Sequence, residues 1–339
     1  MIEIDGSAGE GGGQILRSSL ALAMVTGQAV RVDRVRAGRQ KPGLRRQHLA
    51  AVEAAARVSN GRVTGAELGS TRVELEPGPV VGGTFELSIG SAGSASLVLA
   101  TILPALVLAD EPSVVTIEGG THNPLAPTFE FLRFSLLPLL HRMGAEVHLR
   151  LLRHGFYPRG GGRVRAEIQP GQFGELQLDS LGARQWKRAT STVADLPQHV
   201  ARRELDTLAK KLRLSPADLI EEVLPPGLGP ANLCRVELQH ENATAVFTEH
   251  GEKGLLAETV AARLANQVRR FEKAGVAVDE HLADQLLLPM ALGEGGRFTT
   301  LAPSSHTLSQ VAVIERFLDP SVRMTELGHD RWLVEVGER

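Results

Sequence analysis

A chain of 339 residues, 42% hydrophobic and 22% charged, has a globular composition and the length of about two domains. Its net charge of −2 excludes a polycationic nucleic-acid coat, so any polyanion contact must come from a local patch. A single cysteine, Cys234, excludes an intramolecular disulfide and a cysteine-rich zinc site, and 4% aromatic residues leave the core to Ala, Leu and Val. The start, Met1-Ile-Glu-Ile-Asp5, lacks the basic and apolar regions of a signal peptide. The best membrane candidate, 97–109, is broken by Pro104 and is shorter than the about 20 residues a span needs. No membrane segment is expected, and the expected location is the reducing cytoplasm.

In chain order, Gly6-Ser-Ala-Gly9 opens an apolar helix over 14–26, then an alternating strand over 29–36. A Pro-containing loop, 38–43, leads to a helix over 44–58 and two strands near Arg62 and Thr71. Gly90-Ser-Ala-Gly93 repeats the opening, and the same order follows it. There a helix over 97–109, a strand over 114–118, a loop over 119–127, a helix over 128–143 and strands near Glu146 and Arg163 are expected. Each unit reads βαβαββ, an internal repeat of a structural module. A third unit has helices over 280–291 and 308–318 and strands over 297–301, 322–326 and 332–336, with 175–178 as its detached first strand. Between the pieces, 182–276 carries a charged helix (198–212), strands at 235–239 and 244–248, and a helix with Leu256, Val260, Leu264, Val268 and Phe271 on one face. The expected organisation is a repeat domain of residues 1–181 and 277–339, with a small α/β domain, 182–276, inserted into its third unit.

Three stretches could carry chemistry. Asp5-Gly-Ser-Ala-Gly-Glu-Gly-Gly-Gly-Gln14 is a strand, a glycine-rich turn and a helix start, where backbone N–H groups suit an anion. It lacks the Gly-Lys-Ser/Thr of a P-loop and the acidic partner of a dinucleotide fingerprint, so by itself it is also a generic turn. Glu10 within it suits a divalent metal beside phosphates. The second stretch, 31–46, sets Arg31, Arg34, Arg36, Arg39, Lys41, Arg45 and Arg46 against one acid, Asp33, and runs into Gln47-His48. Arginine forks bind phosphate bidentately, although most charge runs are solvated faces. Arg150, Arg153, Arg159, Arg163 and Arg165 form another basic run with no acid among them; two such runs in a near-neutral chain favour a polyanionic ligand. The third stretch is Ser304-Ser-His-Thr307, which puts His306 in the loop equivalent to the Arg39 and Thr121-His-Asn-Pro124 loops of the other units. A loop histidine is more often structural, and Asp284 and Gln285 upstream could equally be helix-capping residues.

At these motifs the sequence closely resembles the RNA 3′-terminal phosphate cyclase family. The resemblance rests on residues 5–17, Arg36-Ala-Gly-Arg39 with Lys41-Pro-Gly-Leu-Arg-Arg-Gln-His48, Gly90-Ser-Ala-Gly93, Leu152-Arg-His-Gly-Phe-Tyr-Pro158, Gly251-Glu-Lys253, Leu282-Ala-Asp-Gln285 and the His306 loop, in order along nearly the whole chain. It implies an α/β fold of three βαβαββ repeats like those of EPSP synthase, with a small inserted α/β domain. It implies a nucleotidyl-transferring ligase that uses ATP and a divalent metal, Mg or Mn, to turn RNA 3′-phosphate ends into 2′,3′-cyclic phosphates. His306 would be the nucleophile that forms a histidine–AMP intermediate, and Glu10 would hold the metal. Arg17, Arg36, Arg39, Gln47 and His48 would line the RNA phosphate site. His281, Leu282, Ala283, Asp284, Gln285, Pro127, Phe247 and Ala100 would lie around the ATP. The chain departs from the family at Ala100, where Gln is common, and at His281, where Tyr is usual; both alter the nucleotide side of the site. The alternatives are a cyclase-like binding factor of ribosome assembly, which lacks the histidine, and an EPSP-synthase-like transferase of small phosphorylated metabolites.

Overall fold

The computed structural model describes residues 1–319 and 321–337. The first unit runs β1 (Ile2–Asp5), α1 (Gly13–Thr26), β2 (Val30–Asp33), α2 (Arg46–Val58), β3 (Arg62–Thr64) and β4 (Val73–Glu76). The second runs β5 (Gly83–Ser88), α3 (Ala95–Val107), β6 (Ser113–Gly119), α4 (Phe129–Phe131), a π-helical segment (Leu132–Leu136), α5 (Leu137–Arg142), β7 (Val147–Arg153) and β8 (Gly162–Ile168). In the third, β9 (Leu176–Leu178) is followed after the insertion by α8 (Glu280–Leu292), β14 (Gly296–Thr300), α9 (Ser305–Phe317), β15 (Val322–Gly328) and β16 (Arg331–Val336).

The sheets β1-β2-β4-β3, β5-β6-β8-β7 and β9-β14-β16-β15 share one topology. In each, the first two strands are parallel and every other pairing is antiparallel. Parallel neighbours need a crossover helix, and α1, α3 and α8 supply it. Those helices are buried almost all round, with Leu20, Leu22, Ile102, Leu106, Leu286 and Leu287 at 0% exposure in one continuous core. Truncating such a leucine to alanine costs about 2–5 kcal/mol. This explains why 97–109 reads as uncharged without being a span; among the described residues no helix is long and apolar enough to cross a membrane.

Between β9 and α8 the chain forms a fourth sheet, β11-β10-β12-β13, from β10 (Arg184–Ala194), β11 (Leu219–Val223), β12 (Ala231–His240) and β13 (Thr244–His250), with α6 (His199–Leu212) and α7 (Ala257–Ala274). A second apolar cluster lies here, including Leu208, Val236, Val260, Leu264, Val268 and Phe271. Both ends of the segment meet at Thr299, whose hydroxyl donates to the Asp179 carbonyl (2.9 Å) and accepts from the Ala277 N–H (3.0 Å).

Several expected boundaries move for local reasons. β2 stops at Asp33 because Arg34 and Arg36 take positive φ, 53° and 57°. α7 starts one residue after Leu256, which is its exposed N-cap and not part of the apolar stripe. β10 and β11 were not expected, since Arg184, Lys187 and Arg188 hide the strand pattern of β10. The largest correction concerns His306. Ser304 caps α9, with its Oγ accepting from Thr307 N–H (3.0 Å) and its N–H donating to Thr307 Oγ1 (3.1 Å), so α9 begins at Ser305 and not Leu308. His306 therefore sits on the first helical turn, not in a loop.

Candidate active site

The turn after β1 brings Glu10 against residues distant in sequence. Gly9 has φ 53°, and a Cβ there would lie 2.0 Å from Ser309 Oγ, so only glycine lets the turn lie on α9. The Glu10 N–H donates to the same hydroxyl (3.3 Å). The Glu10 carboxyl is 7% exposed; Arg39 donates to its Oε2, and its Oε1 lies 3.5 Å from His306 Nδ1. That Oε1 is buried and accepts no hydrogen bond among the described residues.

The tautomer of His306 follows from a chain of side-chain amides. Gln310 Nε2 donates to the Asp284 carbonyl (3.0 Å), which leaves Gln310 Oε1 to accept from Gln14 Nε2 (2.5 Å) and Ser18 Oγ (3.2 Å). Gln14 then has only its Oε1 to offer His306, and an oxygen can only accept. The proton therefore resides on Nδ1 and the lone pair on Nε2. Burial lowers the His306 pKa, and Arg17, Arg39 and His281 add to this while Glu10 opposes it. The imidazole is neutral at pH 7, a nucleophile with one available nitrogen.

Beside it lies a cationic pocket. Arg17 is one turn along α1 from Gln14, and burial pushes its pKa down to about 10, with Arg36 adding to this against the pull of Glu10. Its guanidinium makes no hydrogen bond among the described residues. His48 is 5% exposed, its Nδ1 accepting from Arg45 N–H (3.3 Å), which leaves its Nε2–H as a donor. Burial, then Arg17, Arg36, Arg45 and Arg39, push its pKa down to about 3, so it stays neutral. A Cβ on Gly13 would fall 2.5 Å from His48 Nε2 and 2.8 Å from Arg17 Nη1, so glycine lets these two donors meet over the start of α1. Convergent N–H donors and an uncapped helix N-terminus make this a place for a phosphate.

The other named residues are placed differently. Arg36 donates to the carbonyls of Lys41 (2.8 Å) and Gly43 (2.9 Å) and so pins its own loop. Gln47 Oε1 accepts from Ser94 N–H (3.0 Å), tying the first unit to the glycine turn of the second. Asp284 accepts from Thr307 Oγ1 and from Ser304 Oγ (3.2 Å), and burial raises its pKa to about 6 despite those bonds. His281 is exposed and Gln285 half-buried, whereas Leu282 and Ala283 pack into the core. Pro127 accepts from Ser96 Oγ (2.6 Å), one helical turn from Ala100. Phe247 is buried in the insertion, edge-on to Phe271 at 5.2 Å. Among the described residues no hydrogen bond joins Pro127, Ala100 or Phe247 to the Glu10–His306 cluster.

The sequence reading missed Gln14, Ser309 and Gln310. Gln14 stood inside the glycine-rich motif, and Gln310 lies four residues after His306, one turn along the same helix face. In the second basic run Arg163 pairs with Glu86 (2.8 Å) and Arg165 with Glu167 (3.1 Å), while Arg150, Arg153 and Arg159 form no ion pair among the described residues. A cavity of about 710 Å³ lined by Arg184, Trp186 and Lys187 lies in the insertion, away from this site.

Comparison with known proteins gives a consistent result. The model of a family described as RNA 3′-terminal phosphate cyclase matches residues 8–324. A curated relative of that name from Pseudomonas fluorescens is 50% identical over 318 residues, covering 94% of this chain and 92% of its own. Another, from Ectopseudomonas mendocina, is 47% identical over 335 residues, covering 99% and 98%. A solved EPSP synthase from Acinetobacter baumannii covers 95% of this chain and 62% of its own at 13% identity, with a TM-score of 0.28. The repeat architecture rests on the three sheets themselves.

Proposed function

The chain belongs to the RNA 3′-terminal phosphate cyclase family, and from that premise we propose that it is an ATP-dependent ligase that converts RNA 3′-phosphate ends to 2′,3′-cyclic phosphates through a histidine–AMP intermediate. The observation that carries the reading is His306, neutral, with Nδ1–H on Gln14 and a lone pair on Nε2, beside the Arg17–His48 pocket. Nε2 attacks the α-phosphorus of ATP; the N–P bond forms as the α–β P–O bond breaks and pyrophosphate leaves. An oxygen of the RNA 3′-phosphate then takes AMP, the N–P bond breaks, and neutral His306 is regenerated. The neighbouring 2′-OH attacks the 3′-phosphorus, loses its proton, and AMP leaves. That last step gains greatly from proximity.

In this scheme Arg17, Arg39 and the Nε2–H of His48 hold the RNA phosphate, with Arg36 and Gln47 fixing the loops that present them. His281, Asp284, Gln285, Pro127, Ala100 and the insertion's Phe247 would lie around the ATP, while Leu282 and Ala283 hold the first turn of α8 through the core. A buried carboxylate with an orphaned oxygen fits a hard divalent cation, Mg or Mn, so Glu10 would hold it. When bound, the cation would offset phosphate charge. A cytoplasmic setting supplies ATP and RNA ends and suits the free, buried Cys234.

Gln14 gives a test of the tautomer. Gln14→Ala is expected to slow adenylate formation by about tenfold, the scale of one positioning hydrogen bond. Gln14→Glu should put a carboxylate on Nδ1, raise the imidazole pKa and move the acid limb of the pH–rate profile to higher pH. An acid limb unmoved in Gln14→Glu would rule out this contact in the working enzyme.

We also propose that 182–276 is a modular domain. Its ends share Thr299 and it holds most of the second apolar cluster, with only Ala243 and Val246 packing into the main core, so a short Gly/Ser linker closes the gap at small entropic cost. The expected product of excision is soluble and melts cooperatively but binds ATP more weakly, since Phe247 goes with the insertion. An insoluble product would count against modularity, and unchanged ATP affinity against a role for Phe247.

A further inference from the structure

Next to His48 on α2 lies Arg46, one of a set of cations for which the phosphate site has no use. Gln47, next to His48, holds Ser94 N–H, and a Cβ on Gly90 at the other end of that turn would lie 3.4 Å from Arg46 Nη1. On the turn rests the loop 154–161, since a Cβ on Gly160 would meet the Ala92 Cα at 2.7 Å. Arg153 donates to the Gly161 carbonyl in the same loop. Arg46, Arg153 and Arg159 are exposed and in no ion pair among the described residues, and the carboxylate of Asp195 accepts from the N–H groups of Gly227 and Gly229. The same loop carries the only tyrosine of an aromatic-poor sequence, and Tyr157 is 68% exposed. Beside this loop, joined to it by a bridge between His122 and Phe156, is the loop bearing the fully exposed Leu125.

Unpaired guanidinium groups next to an exposed aromatic ring are what a single strand needs, cations for its phosphates and a flat face for a base. Resting on the cyclase reading, we propose that the RNA strand 5′ to the reacting end leaves the His48 pocket across the Gly90–Ser94 turn and runs to Arg159 and Tyr157, where a base stacks on the tyrosine. The enzyme then senses more than the terminal nucleotide, and its affinity depends on several bases of unpaired strand.

The test is a binding titration without ATP, comparing a dinucleotide ending in a 3′-phosphate with a longer unpaired strand bearing the same end. The native chain is expected to prefer the longer strand. Tyr157→Ala and Arg159→Ala should each weaken that strand by about tenfold and leave the dinucleotide unchanged, while Tyr157→Phe, which keeps the ring, behaves as native. Arg159→Ala should also flatten the salt dependence by about 0.7 in log–log slope, one phosphate contact on a single strand. Native affinity of both alanine variants for the longer strand, or an equal loss on the dinucleotide, overturns the track. Self-adenylation with ATP alone is measured in parallel and should be native in both. Its absence from the native chain counts against the proposed reaction, while the strand titration still decides the track.

Discussion

Incubated with α-labelled ATP and a divalent metal but no RNA, the chain is expected to take up AMP covalently, and His306→Ala to take up none. The label should be lost in acid and kept in alkali, as a phosphoramidate requires. Loss should be complete, because the amide chain from Asp284 through Gln310 and Gln14 ends on one imidazole and on no second nucleophile. Among the described residues the only thiol, Cys234, is buried, and burial first, then Glu204, raises its pKa well above the usual thiol range. The fold should survive the substitution, since His306 is half-exposed and α9 is capped by Ser304 and Thr307. Burial lowers the pKa of His306, so the nucleophilic form persists to lower pH than in a free imidazole and is lost on the acid side. Labelling should accordingly be flat at neutral and mildly alkaline pH and decline on the acid side, with a midpoint below the ordinary imidazole value. Undiminished labelling of His306→Ala would remove the mechanism.

The sequence carried the units better than their joints. Repeated Gly-Ser-Ala-Gly turns and apolar helices made three βαβαββ modules legible, because glycine turns and crossover helices are local features. It did not reveal β10, whose first half is charged on an exposed end, nor the end of β2, where two arginines turn the chain at positive φ. At the site, residue types with obvious chemistry stood out: Glu10, Arg39, His48 and His306. Gln14 and Gln310 did not, because a glutamine acquires meaning only when its two ends are assigned, and that takes partners from α1, α8 and α9 at once. Arg36 and Gln47 show the converse: polar residues in the right motif whose side chains hold backbone carbonyls and N–H groups of neighbouring loops.

Arg39→Ala and His48→Ala are each expected to slow the RNA-dependent steps by about 10- to 100-fold, the loss of one charge-assisted or buried donor to phosphate at roughly 1.5–3 kcal/mol. Adenylation of His306 should fall less, because both side chains belong to the pocket beside it. The two variants should part company in stability. Arg39 is about half exposed but its partner Glu10 is buried, so its loss destabilises the fold by leaving that carboxylate without its cation. His48 is buried and neutral with a folded pKa of about 3 against 6.5 unfolded, so the unfolded chain takes up a proton that the folded chain refuses. Its depressed value means that stability is fully present above pH 6.5 and is lost progressively as pH falls toward 3, by a few kcal/mol in order of magnitude. His48→Gln, which keeps a donor but cannot titrate, should hold more of the RNA-dependent rate than His48→Ala and should flatten acid unfolding between those limits. An acid-unfolding curve identical to the native one would mean that His48 is accessible to protons in the folded chain, and equal activity of His48→Ala on phosphorylated ends would move the phosphate site elsewhere.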